Sequence, residues 1–298
     1  MCGQATGNVR ARVGGLRRSG GPRCREIVRR HGQAFTLIEL LVVIAIIALL
    51  VGIMTPSITR AKELARRLKC ATSLRGIATG MVLYAEAEKS APYVPLNGAG
   101  WGVEIGSGRD VDPYAGAAQG RNPTSNLYLL VRGSYCQGGM FVCPSAGEAQ
   151  GSADTGDHWD FADGRWVSYA VQNPYGPTNT LASAGGATVI LADASPYFAA
   201  DTGLRNDNPV ANLGGSPDED TVRAGSSPNH GREGQNVTWP DGSTRFEKRA
   251  SVGINGDNIY TRAASGTTDP AGTIPAAGAD GSAADQGPAG PNDSYLVP

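Results

Sequence analysis

The sequence predicts an α+β protein with one long N-terminal helix followed by a small, mostly antiparallel sheet with long loops. Three observations carry this expectation. Residues 40–54 read LLVVIAIIALLVGIM, without a polar side chain. Beyond Pro56, apolar residues recur at helical spacing to about residue 88. From about residue 91 the chain turns to Gly, Pro, Asn, Asp and Tyr with short apolar runs, the pattern of strands and loops.

The apolar run decides the first element. With Phe35–Ile38 on one side and Thr55–Ile58 on the other it reaches the ~20 residues a helix needs to cross a bilayer. A secretory signal would be shorter and followed by a small-residue cleavage site. The net charge of −1 conceals a polarity: residues 1–34 carry eight Arg against Glu26 alone, whereas residues 90–298 carry eleven basic and twenty-two acidic side chains. Such a basic head suits nucleic acid or a topogenic signal. Beside an apolar span the membrane explanation is better, and the positive-inside rule puts residues 1–34 in the cytoplasm and the remainder outside the inner membrane. Glu39 stands out, because a carboxylate inside such a span costs a few kcal/mol unless a cation meets it.

The stretch Ala34-Phe35-Thr36-Leu37-Ile38-Glu39-Leu40-Leu41-Val42-Val43-Ile44-Ala45-Ile46-Ile47 resembles the N-terminal signature of type IV pilins and of type II secretion pseudopilins. In that family a prepilin peptidase removes a basic leader just before the Phe, and the new N-terminus is methylated. The resemblance implies a scissile bond between Ala34 and Phe35, with Ala34 where the family usually has Gly. It also implies that Glu39 neutralises the amino terminus of a neighbouring subunit during assembly. The implied partners are other pilin-like subunits, the peptidase and the inner membrane; no nucleic acid is expected.

The second half of the helix is amphipathic. Ile58, Ala61, Leu64, Ala65 and Leu68, then Leu74, Ile77, Ala78, Met81, Val82 and Ala85, follow three- and four-residue steps. Pro56 should kink or loosen the helix, having no backbone donor. The helix should fade near Glu88–Ser90, about 54 residues and roughly 80 Å from Phe35. The remaining expectations are a short helix over Thr124–Gly133 and strands at Met140–Cys143, Trp166–Val171, Ala187–Ala192, Asn236–Trp239 and Thr244–Glu247. Pro240-Asp241-Gly242 should turn the last two into a hairpin. The resulting division is a leader at 1–34, a membrane half-helix at 35–58, an amphipathic half at 59–90, a globular domain at 91–262 and a flexible tail at 263–298. Asp293–Pro298 carries three apolar side chains that either dock back or merely end the chain.

Residues 229–242, NHGREGQNVTWPDG, resemble a motif of planctomycete prepilin-like proteins, named for a His, nine residues and then Asp-Gly. Here ten residues separate His230 from Asp241. Phe141-Val142-Cys143-Pro144-Ser145, Ser168-Tyr169-Ala170 and Val189–Asp193 also look like that group, so the two resemblances cover most of residues 34–262.

The chemistry that remains is sparse. No phosphate-binding GxxxxGK[ST], HExxH or GxSxG is present. His230 and Asp241 would make a general base only with a nucleophile nearby, so the preferred reading is structural: His230 closing a loop, Asn236 in the strand that follows, and Asp241-Gly242 making a turn. Asp154, Asp157, Asp160 and Asp163 recur every third residue and are a weak calcium candidate, against a plain solvated loop. Cys136 and Cys143 are candidates for a disulfide in an oxidising compartment, with two isolated thiols the alternative. Cys70 shows no visible partner, and no other cofactor is expected. The expected protein is a non-enzymatic subunit of a filament or pseudopilus. Its rivals are a membrane-tethered binding protein that does not polymerise and a tethered hydrolase.

Overall fold

The computed structural model describes residues 35–95, 104–116, 121–147, 157–175, 186–203, 206–209, 211–262, 288 and 293–298. The chain divides into two units, Met1–Ile53 and Met54–Pro298. The described part of the first unit is the apolar start of helix α1, which runs over Leu37–Glu88. α1 is long and apolar enough to cross a membrane, and its most apolar stretch buries nothing. The helix continues through Pro56 and ends where its apolar pattern ends.

Within the second unit, α1 buries Cys70, Leu74, Ile77, Ala78, Gly80 and Met81. These lie on one face, at the three- and four-residue steps that bring side chains together on a helix. The expected amphipathic stripe is therefore correct at Leu74, Ile77, Ala78 and Met81, whereas Val82 is exposed and the stripe is displaced before Leu74. Leu64 and Leu68 are exposed, because the buried face continues toward the N-terminus as Arg67 and Glu63 instead. Helix α2 (Thr124–Arg132) contributes Leu127, Tyr128, Leu130 and Val131 to the same core cluster as the buried face of α1.

Among the described residues the sheet has five strands: β1 (Tyr169–Gln172), β2 (Leu191–Asp193), β3 (Gln235–Thr238), β4 (Thr244–Glu247) and β5 (Leu296–Val297). Their order is β4-β3-β2-β1-β5, and every pairing is antiparallel. Alternation along the strands builds two cores. Tyr169, Val171 and Leu191 join the α1–α2 cluster, while Ala170, Ala192 and Val237 join a second cluster with Tyr197, Tyr260 and Tyr295. Helix α3 (Glu219–Ala224) is capped by Asp218, whose side chain accepts from the Thr221 amide at 2.7 Å.

Three expectations need correction. Met140–Cys143 is no strand: Gly138–Phe141 forms a 3₁₀ turn that drops Phe141 into the core. The strand expected at Trp166–Val171 begins later, after a 3₁₀ turn over Gly164–Trp166. The chain end is not tail either, because Leu296–Val297 pairs with β1 and Tyr295, Leu296 and Val297 are fully buried. Residues 263–287, the rest of the expected tail apart from residue 288, lie outside the described residues with 289–292.

Candidate functional site

Of the two residues expected at the processing site, Phe35 is 71% exposed and Ala34 lies outside the described residues. Thr36 and Glu39 form a reciprocal cap at the start of α1. The Thr36 amide and hydroxyl each donate to Glu39 Oε2 at 2.8 Å, and the Glu39 amide donates to Thr36 Oγ1 at 3.3 Å. This capping-box arrangement satisfies helix N-terminal donors that have no partner inside the helix. Glu39 is thus positioned within the single chain, by a contact that the sequence reading missed although Thr-x-x-Glu is its signature.

The second site surrounds His230. The turn that carries it, Asn229–Arg232, is unusual: His230, Gly231 and Arg232 all have positive φ, at 55°, 65° and 60°. For the two non-glycine residues this conformation costs on the order of 1–2 kcal/mol each, so the surroundings must hold it in place. What holds it is visible at both ring nitrogens. Nδ1 lies 2.7 Å from Glu63 Oε1 on α1. Nε2 lies 3.4 Å from Asp193 Oδ2, 3.3 Å from Asn236 Nδ2 and 3.7 Å from Cys143 Sγ. Beyond Cys143, the Sγ of Cys70 is 2.8 Å away.

Electrostatics agree with this picture. Burial lowers the His230 pKa, but the contact with Cys143, the charge of Asp193 and the hydrogen bond to Glu63 outweigh it and push the pKa up to about 9. Burial raises the Asp193 carboxyl despite the His230 charge and two hydrogen bonds from Asn236. Burial also acts to raise Glu63, but hydrogen bonds from His230 and Ser145 and the charge of Arg67 carry it below the usual range. Glu63 is therefore an acceptor, and His230 Nδ1–H donates to it. Arg67, one turn along α1, pairs with Glu233 and stacks 4.3 Å over the Phe246 ring.

The structure sorts the residues singled out from sequence. His230 and Asn236 belong to this buried cluster. Asp241 does not: it is exposed in the β3–β4 turn, where its carboxylate accepts from the Ser243 amide at 2.8 Å and Gly242 takes φ 77°. The hairpin reading of Asp241-Gly242 thus matches the geometry, and the carboxylates beside His230 are Glu63 and Asp193.

The aspartate repeat does not converge. Asp160 is fully buried and accepts from Thr124 Oγ1 and the Phe161 amide, both at 2.8 Å. Asp163 chelates the Arg165 side chain. Asp157 is exposed, and Asp154 lies outside the described residues. The oxygens of Asp160 and Asp163 are committed to the chain's own donors, which removes them from a calcium loop.

The cysteine pairing is corrected as well. Cys136 and Cys143 are not joined, and both are buried free thiols. Cys136 faces the Gly76 carbonyl at 3.9 Å, and the neighbour of Cys143 is Cys70.

Comparison with known proteins addresses the N-terminal segment. Residues 29–55 match the family model of the prokaryotic N-terminal methylation motif. The chain therefore carries a prepilin-type signal of the kind found in type IV pilin-like proteins, placed over the capped, apolar start of α1. No curated protein and no solved structure matches the chain.

Glu63, Cys70 and Asp193 were missed as site residues, and Cys143 was singled out only as a disulfide candidate with Cys136. Glu63 and Cys70 gave no signal, since helical spacing alone reads them as a surface charge and a lone thiol.

Proposed function

We propose that this chain is a pilin-like structural subunit, made as a precursor, cut between Ala34 and Phe35 and assembled through α1 into a pseudopilus or type IV pilus-like filament. The observation that carries the reading is the methylation motif at residues 29–55 lying on a helix whose apolar start is wholly uncovered. In water such a surface is untenable, and in lipid or among neighbouring helices it is satisfied. Residues 1–34 then act as a cytoplasmic leader, 35–58 as the single membrane span, 59–90 as the stalk and 91–262 as an extracytoplasmic head. Assembly packs the apolar halves of neighbouring helices together. Glu39 meets the amino terminus of the adjacent subunit and sets the register, exchanging its local partner Thr36 for an intermolecular one. The exposed Leu64 and Leu68 extend the contact surface beyond the membrane.

The geometry around His230 favours a structural protein over a hydrolase. The ring is buried, and the cluster around it joins α1 to the sheet. The test is cysteine cross-linking between copies in membranes, using single Cys substitutions at Leu41, Leu49 and Leu64 in a chain expressed with its assembly machinery. Ladders of cross-linked multimers are expected. A chain that stays monomeric at every position would instead favour the tethered binding protein.

A further inference from the structure

Four side chains from distant parts of the sequence bring one potential ligand atom each to a common point. Cys70 comes from α1, Cys143 from the segment after the first 3₁₀ turn, Asp193 from the end of β2 and His230 from the turn before β3. Their ligand atoms all lie within 4.8 Å of one another, and all four residues are buried. We infer that they form a closed four-ligand site for a zinc-class cation, which fastens the stalk helix to the sheet.

The spacing suits such an ion. Tetrahedral zinc, with bonds of about 2.0–2.3 Å, sets its ligand atoms roughly 3.3–3.8 Å apart. Cys143 Sγ to His230 Nε2 is 3.7 Å, and His230 Nε2 to Asp193 Oδ2 is 3.4 Å. The two sulfurs stand 2.8 Å apart. A bound ion parts them by about 1 Å, a displacement small enough for side-chain rotation.

The surroundings suit it as well. A metal-binding imidazole characteristically gives its other N–H to a carboxylate, which fixes the ring and leaves the second nitrogen free for the ion. His230 does this through Nδ1 and Glu63. Asp193 is oriented by the Asn236 backbone amide at 2.6 Å and its side-chain amide at 3.0 Å, both on Oδ2. Its Oδ1 is buried without a hydrogen bond of ordinary geometry; the Asn229 side chain, which donates to the Ser168 carbonyl, also lies close enough to favour the carboxylate. An unsatisfied carboxylate oxygen in a dry interior is expensive, and a cation removes that cost.

The donor set names the class of ion. Two sulfurs, an imidazole and a carboxylate in a four-coordinate arrangement suit zinc, whereas calcium and magnesium take oxygen donors in larger number. All four positions are filled by protein, so the ion is structural and has no open position for a reacting water. A groove of 710 Å³ lined in part by Glu63, Arg67 and His230 adjoins the cluster and gives an entry path. The inference is independent of filament assembly, since it requires only the folded chain.

The test uses full-length protein purified from membranes in detergent without chelator. Elemental analysis should find about one zinc per chain. Cobalt added after chelation should give the visible bands of a tetrahedral ion together with thiolate-to-cobalt charge transfer. Cys143→Ser and Cys70→Ser should each abolish the charge-transfer contribution of one sulfur, while Asp241→Asn, in its exposed turn, leaves stoichiometry and spectrum unchanged. Glu63→Ala should keep the spectrum and weaken the affinity about 10–100-fold. Because the cobalt spectrum is read on the unsubstituted chain, a variant that fails to fold does not decide the matter. The inference is overturned if the unsubstituted chain takes up neither metal. It is equally overturned if its intact mass shows Cys70 and Cys143 joined as a disulfide with two hydrogens lost.

Discussion

His230 Nδ1 donates to Glu63 Oε1 at 2.7 Å, across 167 positions of sequence. This bond joins the turn before β3 to α1 and helps to hold a histidine at φ 55°. Glu63 also accepts from the Ser145 hydroxyl at 3.0 Å and pairs with Arg67 at 3.7 Å. One partly exposed carboxylate thus joins three segments. Replacing Glu63 by Ala leaves a buried ring N–H without its acceptor, which should lower stability by about 1–3 kcal/mol. Urea unfolding of the detergent-solubilised chain measures it. An unchanged midpoint would mean that the helix-to-turn link is incidental.

Glu39 has two roles that substitution can separate. Gln at this position keeps the capping-box acceptor for the Thr36 amide but removes the charge. Glu39→Gln should therefore leave membrane insertion and the helix start intact while failing to enter the assembled filament. Glu39→Ala should lose both the cap and incorporation. Sheared-filament fractions compared with membrane fractions read the outcome, and normal incorporation of the Gln variant would sink the charge-pairing account.

Asp160 gives a pH signature. Burial raises its carboxyl from 3.8 to about 6, against hydrogen bonds from Thr124, Gly106 and Phe161. The folded chain therefore holds this proton more tightly than the unfolded chain between those values. For this group alone, stability is greatest below the lower value, declines as pH rises through about 6 and then levels off, by at most about 3 kcal/mol. Asp160→Asn should remove that component of the slope. Thermal midpoints of the two proteins between about pH 4 and pH 7 should converge toward the acid end, apart from a constant offset for the altered Gly106 contact. Parallel curves would contradict the assignment.

Two glycines on the buried side of α1 should behave differently. A Cβ on Gly76 would meet only the mobile end of Met140, whereas on Gly80 it would meet Cys136 Sγ at 2.3 Å with the Tyr135 carbonyl behind it. Gly80→Ala should lose about 1–3 kcal/mol by overpacking, and Gly76→Ala should be near neutral because helix propensity offsets the Met140 shift. Denaturant midpoints of the two variants, set against the parent, test the contrast.

Removal of residues 293–298 should be severe. It takes away β5, the fully buried Tyr295, Leu296 and Val297, and bonds to Gln172, Asn173 and Val189. Each buried apolar side chain is worth about 1.5–3 kcal/mol, so the total approaches the whole stability of an ordinary domain. The truncated chain should aggregate through the uncovered edge of β1, as read by its loss from the soluble detergent fraction.

The long helix and the β3–β4 hairpin were legible because their signals are local: a 3.6-residue apolar period, and Pro-Asp-Gly between two alternating runs. β5 was only half legible, since two apolar residues beyond a polar stretch do not say which strand they pair with. Met140–Cys143 read as a strand by residue type, yet Gly138 and Gly139 allow a 3₁₀ turn and core packing of Phe141 selects it. His230 was singled out in the sequence, but its partners were not. Cys70 and Glu63 reach it only because the antiparallel order of the sheet brings β2, β3 and the side of α1 together. Asp241 was legible as a turn residue for the opposite reason, being committed to its own local turn.

The central claim concerns the N-terminus and is tested by intact mass and N-terminal sequencing of the membrane-fraction protein, produced with and without an active prepilin peptidase. The account predicts a chain that begins at a methylated Phe35 only when the peptidase is active. A chain that keeps Ala34 and the residues before it in both preparations would contradict the account and leave a membrane-tethered protein outside the pilin pathway.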